Sequence, residues 1–164
     1  MTDTGEPDYG LLERQLAALI GAEADPLANT ANFVALLYDA LPRVNWLGVY
    51  VLRGDTLVLG PFQGKPACVR LPLGKGVCGE AAAAKRTLRV ANVHEFAGHI
   101  ACDAASNAEL VVPLSVNGAL VGVLDIDSPE FARFSERDQA GIEALCRVFT
   151  ERLAAVPPGE ARFI

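Results

Sequence analysis

Residues 109–126 read ELVVPLSVNGALVGVLDI, and this stretch decides the fold class. Two apolar runs, partly β-branched, flank Asn117-Gly118, a dipeptide that favours a two-residue hairpin turn because both of its positions take positive φ angles. The pattern predicts antiparallel strands over residues 109–116 and 119–126. A sheet made of hairpins is therefore expected at the centre of the chain.

Helices are predicted at both ends of the chain. Apolar residues at helical spacing indicate one helix over residues 9–22, which Asp25-Pro26 would end, and a second that begins at an N-cap on Asn29 or Thr30. Ser135 and the acids after it predict a capped start for a long C-terminal helix. The expected fold is α+β, with the N- and C-terminal helices packed on a central antiparallel sheet.

The middle of the chain, residues 60–109, is poor in predicted regular structure. Cys68 and Cys78 fall in its Gly- and Pro-rich part and are expected in loops. Long loops in a compact domain are usually functional. The remaining predicted elements are a strand pair (46–52 and 56–59), a short helix (80–85) and a short strand (88–91).

Composition and charge narrow the possible functions. The chain of 164 residues is long enough for one domain, expected over 1–164 with a flexible start at 1–8 and a tail at 157–164. A net charge of −6 disfavours a nucleic-acid partner. We expect no membrane segment and no signal peptide, hence a cytoplasmic location. In the reducing cytoplasm, the chain's four cysteines indicate free, catalytic or metal-binding thiols rather than structural disulfides.

Residues 94–103, HEFAGHIACD, hold two histidines, a cysteine and two acids within ten positions. A core seldom contains such a segment, because each polar group must find a partner or stay in water. Together with Cys68 and Cys78, the segment indicates either thiol chemistry or a Zn²⁺ site. The chain has no Cys-x-x-Cys pair, and gaps of ten and twenty-four residues between these cysteines are not a zinc-finger spacing.

Several motifs together make the chain resemble a known family. The stretches GPFQG at 60–64, GKGVCG at 74–79, GHIACD at 98–103 and VGVLDIDSP at 121–129 are similar to those of the GAF-domain free methionine-(R)-sulfoxide reductases. The likeness runs from about residue 46 to residue 134. It implies a GAF-like fold and the reduction of free L-methionine-(R)-sulfoxide to L-methionine, with no cofactor and no metal.

The cysteines can carry this chemistry. Cys102, among polar neighbours, is the expected nucleophile, whose thiolate attacks sulfur and becomes a sulfenic acid. The resemblance implies that a second cysteine then forms a disulfide with it. Cys68 is favoured as the direct partner, and Cys78 stays open as a relay or alternative. The implied reductant is thioredoxin. Cys146, on the apolar stripe of the last helix, is expected in the core.

Three carboxyl groups are expected to serve the same site. Asp125 and Asp127 stand two apart on one strand and so share a face, and Glu109 begins the paired strand. Crowded carboxylates raise at least one pKa, which suits a general acid, and Glu109 and Asp127 are the expected catalytic acids. All three also suit the ammonium group of a free amino acid.

Aromatic side chains and backbone groups are expected to complete the substrate site. Trp46 and Tyr50 share a face of the first strand, and the resemblance implies that Trp46 contacts the substrate's S-methyl group with Tyr50 nearby. Backbone N–H groups at Ile100 and Ala101 are expected to receive a carboxylate or the sulfoxide oxygen.

Two other functions stay open from the sequence. One is a metal-binding module that would use the cysteines with His94 and His99, which are otherwise expected to organise their loop through hydrogen bonds. The other is a non-catalytic GAF domain that senses a small ligand. A homodimer through the terminal helices is also expected.

Overall fold

The computed structural model describes residues 5–100, 102 and 104–156, and a six-stranded antiparallel sheet forms its centre. The predicted tail at 157–164 and residues 1–4 of the predicted flexible start lie outside the described residues. The strands are β1 (Trp46–Arg53), β2 (Thr56–Gln63), β3 (Arg70–Pro72), β4 (Leu88–Val90), β5 (Ala108–Val116) and β6 (Ala119–Ser128). Their order across the sheet is β3-β2-β1-β6-β5-β4.

The predicted hairpin at the centre of the chain is confirmed. β5 and β6 pair along their whole length, and Asn117 and Gly118 turn between them with φ angles of 52° and 79°. β6 also pairs with β1 on its other side. Because β6 is hydrogen-bonded on both edges, its side chains lie in the middle of the sheet.

The described residues also form four α-helices and one short 3₁₀ turn. Among the described residues, none of the helices combines the length and the apolar character needed to cross a membrane. The helices are α1 (Tyr9–Ile20), α2 (Pro26–Ala40), α3 (Gly76–Ala84) and α4 (Glu136–Ala154), and the 3₁₀ turn is Val93–Glu95. The prediction of an α+β domain is confirmed.

The predicted start of the second helix is wrong. α2 begins at Pro26, and the side chain of Asp25 accepts hydrogen bonds from the backbone N–H groups of Leu27 and Ala28. Proline suits the first helical position because its missing N–H is not needed there. Asp25-Pro26 therefore starts a helix rather than ending one. The capped start at Ser135 is confirmed, with a complete capping box.

The two faces of the sheet carry different layers. α1, α2 and α4 cover one face with an apolar core in which the rings of Phe33 and Phe149 stack at 4.3 Å. α3 and the surrounding loops cover the other face, where Tyr50, Val77 and Val111 belong to a second buried cluster. The polar residues predicted for the functional site lie in this second layer.

The middle of the chain holds more regular structure than predicted. β2 runs to Gln63, and α3 begins at Gly76 rather than at residue 80, so Cys78 lies in the first turn of a helix and not in a loop. The glycines of this segment let the backbone of α3 pack closely against neighbouring backbone. A Cβ atom on Gly79 would lie 2.3 Å from the carbonyl oxygen of Pro72.

The terminal helices are joined by a contact that the sequence did not reveal. The ring of Tyr9 lies on Gly141 of α4, where a Cβ atom would come within 2.2 Å of the ring. The Tyr9 hydroxyl donates to Asp138 Oδ1 at 2.5 Å. Asp138 also accepts from Arg133 and Ser135, so one carboxylate ties α1 to the start of α4.

Replacing Gly141 with alanine is expected to destabilise the protein. Alanine would improve helix propensity by about 1 kcal/mol, but overpacking against Tyr9 costs about 1–3 kcal/mol, so we expect a net loss of up to about 2 kcal/mol. The free energy of unfolding in urea measures it. Gly10→Ala is the matched control, because its Cβ would meet no atom closer than 3.5 Å. That variant should gain about 0.5–1 kcal/mol. A Gly141→Ala protein as stable as Gly10→Ala would contradict the contact.

Candidate active site

A disulfide joins Cys68, in the loop before β3, to Cys102, in the loop before β5. Their Cα atoms are 5.7 Å apart although the residues are 34 positions apart in the chain. Cys102 is exposed and Cys68 is half-buried. Cys78 and Cys146 are free and buried, and Cys146 lies in the core as expected. The fold thus brings together the two cysteines that were favoured as nucleophile and direct partner.

A cavity lies beside the disulfide, between the sheet, α3 and the two cysteine-bearing loops. Most of the residues predicted for the site line it, and Ala101 lies outside the described residues, so its backbone contact stays a prediction. The predicted lining residues are Trp46, Tyr50, Cys78, Ile100, Cys102, Glu109, Asp125 and Asp127, and His99 joins them.

Strand pairing explains how the acids meet. Asp127 of β6 stands opposite Trp46 on one side and opposite Glu109 on the other. Asp125 lies two residues before Asp127 and faces the same side of the sheet. Glu109, Asp125 and Asp127, called here the acid cluster, therefore share the cavity with Trp46. The predicted common face of the two aspartates is confirmed.

Burial controls the charge of these groups. It raises the pKa of Glu109, and the neighbouring Asp125 and Asp127 raise it further. Burial likewise raises the pKa of Asp125. Asp125 Oδ1 is buried, and no hydrogen-bond partner for it is found in the part of the chain that the structure describes. Burial therefore favours the protonated forms of Glu109 and Asp125, and a general acid requires a protonated group.

Cys78 contacts the acid cluster rather than the disulfide. Its Sγ donates to Glu109 Oε1 at 3.7 Å. Burial, and then the charges of Asp125 and Glu109, raise the pKa of the Cys78 thiol. Cys78 is therefore a neutral thiol at neutral pH and a poor nucleophile, because the thiolate is the reactive form.

Three side chains of the cavity could also offer ligand atoms to a metal ion. Cys78, Glu109 and Asp125 place one ligand atom each within 4.8 Å of one another. Binding a metal ion there would release the protons that burial favours on these groups. The predicted alternative set is not assembled, since Cys68 and Cys102 are bonded to each other and His94 does not line the cavity.

The two histidines behave differently. His94 Nε2 forms a hydrogen bond of 2.8 Å with Asn107 Oδ1, and Asn107 in turn donates to the carbonyl of Pro129. His94 thus organises the loop, as predicted. His99 faces the cavity with Nε2 3.9 Å from Glu109 Oε2. Burial lowers the pKa of His99, so its contact with Glu109 is that of a neutral ring at neutral pH.

Trp46 and Tyr50 also hold the loop that carries Cys68. The Trp46 indole N–H donates to the carbonyl of Lys65 at 3.0 Å, and the Tyr50 hydroxyl donates to the carbonyl of Cys68 at 2.9 Å. Gly48 makes room for the indole, since a Cβ there would lie 2.6 Å from Trp46 Cη2. Sequence reasoning missed this role, because no local pattern shows which carbonyl an aromatic side chain reaches.

Other lining residues were also missed. Ser106 is buried at the cavity and accepts a 3.4 Å hydrogen bond from Asn45 Nδ2. Ile100 was predicted only for its backbone, yet its side chain covers Gly76, where a Cβ would lie 3.1 Å away. The positive φ of Gly76 signals a special backbone there, but it does not tell which residue approaches.

Comparison with known proteins decides the family. Residues 14–153 match the model of the GAF domain family. The free methionine-R-sulfoxide reductase of Escherichia coli (strain K12) is 53% identical over 146 residues, covering 89% of this chain and 88% of that protein. This chain belongs to the GAF-domain free methionine-R-sulfoxide reductases.

Solved structures agree with this family and confirm the GAF fold. The fRMsr of Staphylococcus aureus in complex with its substrate is 48% identical, with a TM-score of 0.87 over 91% of this chain and 97% of that one. The free methionine-R-sulfoxide reductase of Neisseria meningitidis, also with its substrate, is 39% identical, with a TM-score of 0.86 over 93% and 91% of the two chains.

Glu109 should make the stability of the reductase depend on pH. Because its pKa is higher in the folded protein than in the unfolded chain, the folded state binds more protons, and stability falls as pH rises above the ordinary value of 4.5. Glu109→Gln cannot ionise. It should therefore raise the free energy of unfolding at about pH 8 and change it little at about pH 4, as measured by urea unfolding.

The matched control for this prediction is Glu80→Gln, which removes a carboxylate at an exposed position of α3. It should leave stability nearly unchanged at both pH values. Equal effects of Glu109→Gln at the two pH values would contradict a raised pKa for Glu109.

Proposed function

We propose that this enzyme reduces free L-methionine-(R)-sulfoxide to L-methionine with Cys102 as the nucleophile. The observation that carries the proposal is the Cys68–Cys102 disulfide beside a cavity that holds the acid cluster and Trp46. The names of the relatives in Escherichia coli and Neisseria meningitidis support the same substrate.

The first step reduces the substrate. The Cys102 thiolate attacks the sulfoxide sulfur, one proton is taken up, and methionine leaves while Cys102 keeps the oxygen as a sulfenic acid. Two electrons pass from the cysteine sulfur to the substrate. We assign the proton to Glu109 or Asp127, and the raised pKa of Glu109, caused first by burial, supports a protonated carboxyl group there.

The second step forms the disulfide. The thiol of Cys68 attacks the sulfenic sulfur of Cys102, water leaves, and an S–S bond results. The 5.7 Å between the two Cα atoms supports Cys68 as the direct partner. Cys78 could act as relay or alternative only after leaving its buried position beside Glu109.

Substrate selection follows from the charges of the cavity. The acid cluster suits the ammonium group of a free amino acid, and the unpartnered, buried Asp125 Oδ1 supports an ammonium site there. The ring of Trp46, which packs against Tyr50 and Phe62 and lines the cavity, offers an apolar surface to the S-methyl group. Ile100 and Ala101 are the proposed backbone donors for the substrate's oxygens.

Regeneration needs an external dithiol, for which we propose thioredoxin. Its two thiols would be oxidised to a disulfide as the Cys68–Cys102 bond is reduced. The exposure of Cys102, and of Val69 beside Cys68, supports access by a protein reductant. We also propose a cytoplasmic location for the enzyme and a single domain over residues 1–164. A homodimer through the terminal helices stays a prediction, supported by the exposed Leu11 and Leu19 of α1.

Blocking the ammonium group of the substrate should impair turnover. With dithiothreitol as reductant, we expect conversion of free L-methionine-(R)-sulfoxide and a kcat/KM about 10- to 100-fold lower for its N-acetyl derivative. Acetylation removes a charged hydrogen-bonding partner of the acid cluster, an interaction worth about 1.5–3 kcal/mol. Chromatographic measurement of methionine and N-acetylmethionine tests it.

Two cysteine variants serve as controls for this assay. Cys102→Ser should show no turnover, whereas Cys146→Ser, altered in the helical core, should keep nearly all of it. A wild-type protein that releases no methionine, or a fully active Cys102→Ser variant, would refute the proposed function. Equal rates with both substrates would refute the ammonium site alone.

A further inference from the structure

Cys78 is a cysteine of the cavity that takes no part in the disulfide. It lies in the first turn of α3, where the close approach of Gly79 to the Pro72 carbonyl fixes the helix against the neighbouring loop. Its side chain is buried and lines the cavity beside the acid cluster. The helix therefore presents a thiol to Glu109 from a rigid position.

We propose that Cys78 is a positioning residue for Glu109: its neutral thiol holds the carboxyl group at the cavity and does not exchange disulfides. The contact is the hydrogen bond from Cys78 Sγ to Glu109 Oε1 at 3.7 Å. This inference rests on the proposed function, because the carboxyl group it positions is the proposed acid.

The groups that face Glu109 explain why a donor is needed there. Asp127 stands directly opposite on β6, and Asp125 lies two residues before it. Their charges repel an ionised Glu109, and the Asp125 carboxyl group also forms hydrogen bonds with Glu109 and with the Cys78 thiol. The hydroxyl of Tyr50 on β1 is committed to the Cys68 carbonyl. His99 is at 3.9 Å and neutral. The cationic Lys65 and Lys75 line the same cavity and are exposed.

The surroundings of Cys78 also argue against a redox role. Thiol–disulfide exchange proceeds through the thiolate, and full burial beside two carboxyl groups disfavours that form. The disulfide joins Cys68 to Cys102 and leaves Cys78 free. A thiol that stays protonated is, however, a suitable donor to a carboxylate.

Removing the Cys78 thiol should change the pKa of Glu109 and leave the Cys68–Cys102 disulfide unchanged. The hydrogen bond from Cys78 stabilises ionised Glu109 and so lowers the pKa of Glu109 from the still higher value that burial would give. Cys78→Ala should therefore raise that pKa. Glu109 must be protonated to act as the proposed acid. The alkaline limb of the pH profile of kcat, where kcat falls with rising pH, should therefore move to higher pH.

The test compares Cys78→Ser, Cys78→Ala and the control Cys146→Ala in dithiothreitol-driven turnover from about pH 6 to pH 10. Serine keeps a donor, so we expect it to retain most of kcat and the wild-type limb. Alanine should lose about tenfold in kcat near neutral pH, with little change in KM, and shift the limb upward. Cys146→Ala should match wild type. If Cys78→Ala does not fold, Cys78→Val replaces it.

Three kinetic results would overturn the inference. A Cys78→Ser variant as inactive as Cys102→Ser would show a redox thiol. A Cys78→Ala variant with wild-type rates at every pH would show that Cys78 has no role in turnover. A loss of rate without a shift of the limb would show a packing role only.

A spectroscopic measurement tests the hydrogen bond without turnover, so its outcome is independent of the proposed function. In the disulfide form of Cys146→Ala, Cys78 carries the remaining S–H group, and its infrared stretching band can be assigned by comparison with a Cys78→Ser, Cys146→Ala variant. At the alkaline end of the same pH range, where ionisation of Glu109 is favoured, adding Glu109→Gln to Cys146→Ala should shift the band to higher frequency, because an amide oxygen accepts more weakly than a carboxylate. An unmoved band would overturn the inference even if wild type is active.

Discussion

The pairing of β6 with β1 on one edge and β5 on the other is the constraint on which the site depends. It places Asp127 between Trp46 and Glu109 in one row across the sheet. Because strand residues alternate between faces, Asp125 and Tyr50 reach the same side. The helices α1, α2 and α4 occupy the opposite face, so the second face is left for α3, the loops and the cavity.

The loops then bring the sulfur chemistry to this row. Trp46 and Tyr50 each hold a carbonyl of the segment that carries Cys68, so the strand bearing the aromatic residues also places one half of the disulfide. The segment that carries Cys102 approaches from the other side, with Ile100 against Gly76. The proposed substrate contacts and the placement of Cys68 therefore depend on the same side chains.

Burial of the acid cluster carries a cost in stability that serves its chemistry. A carboxyl group without a cation beside it is held partly protonated, and the folded protein forfeits the free energy that ionisation in water would provide. Apolar packing on the helical face, including Tyr9 against Gly141, offsets this cost. The apolar core packs on one face of the sheet and the acid cluster lies on the other. The residues that stabilise the fold are therefore separate from those of the candidate site.

Local signals allowed part of this arrangement to be predicted. The Asn117-Gly118 turn and the capping box at Ser135 are encoded within a few residues, and both are present. Asp25-Pro26 was misread because the same dipeptide can end one helix or cap the next. The glycines beside Cys78 suggested a loop, whereas they permit close packing of a helix. The choice between Cys68 and Cys78 depends on contacts between distant segments, which no local pattern contains.

The central claim is that one substrate molecule converts the Cys102 thiol into a disulfide with Cys68. The most direct measurement adds one equivalent of free L-methionine-(R)-sulfoxide to fully reduced, reductant-free protein, then quantifies methionine and maps disulfides by mass spectrometry after alkylation. We expect one methionine per chain and a Cys68–Cys102 cross-link, with Cys78 and Cys146 alkylated after unfolding. Methionine release with a cross-link to Cys78 instead, or with all four thiols still free, would contradict the account.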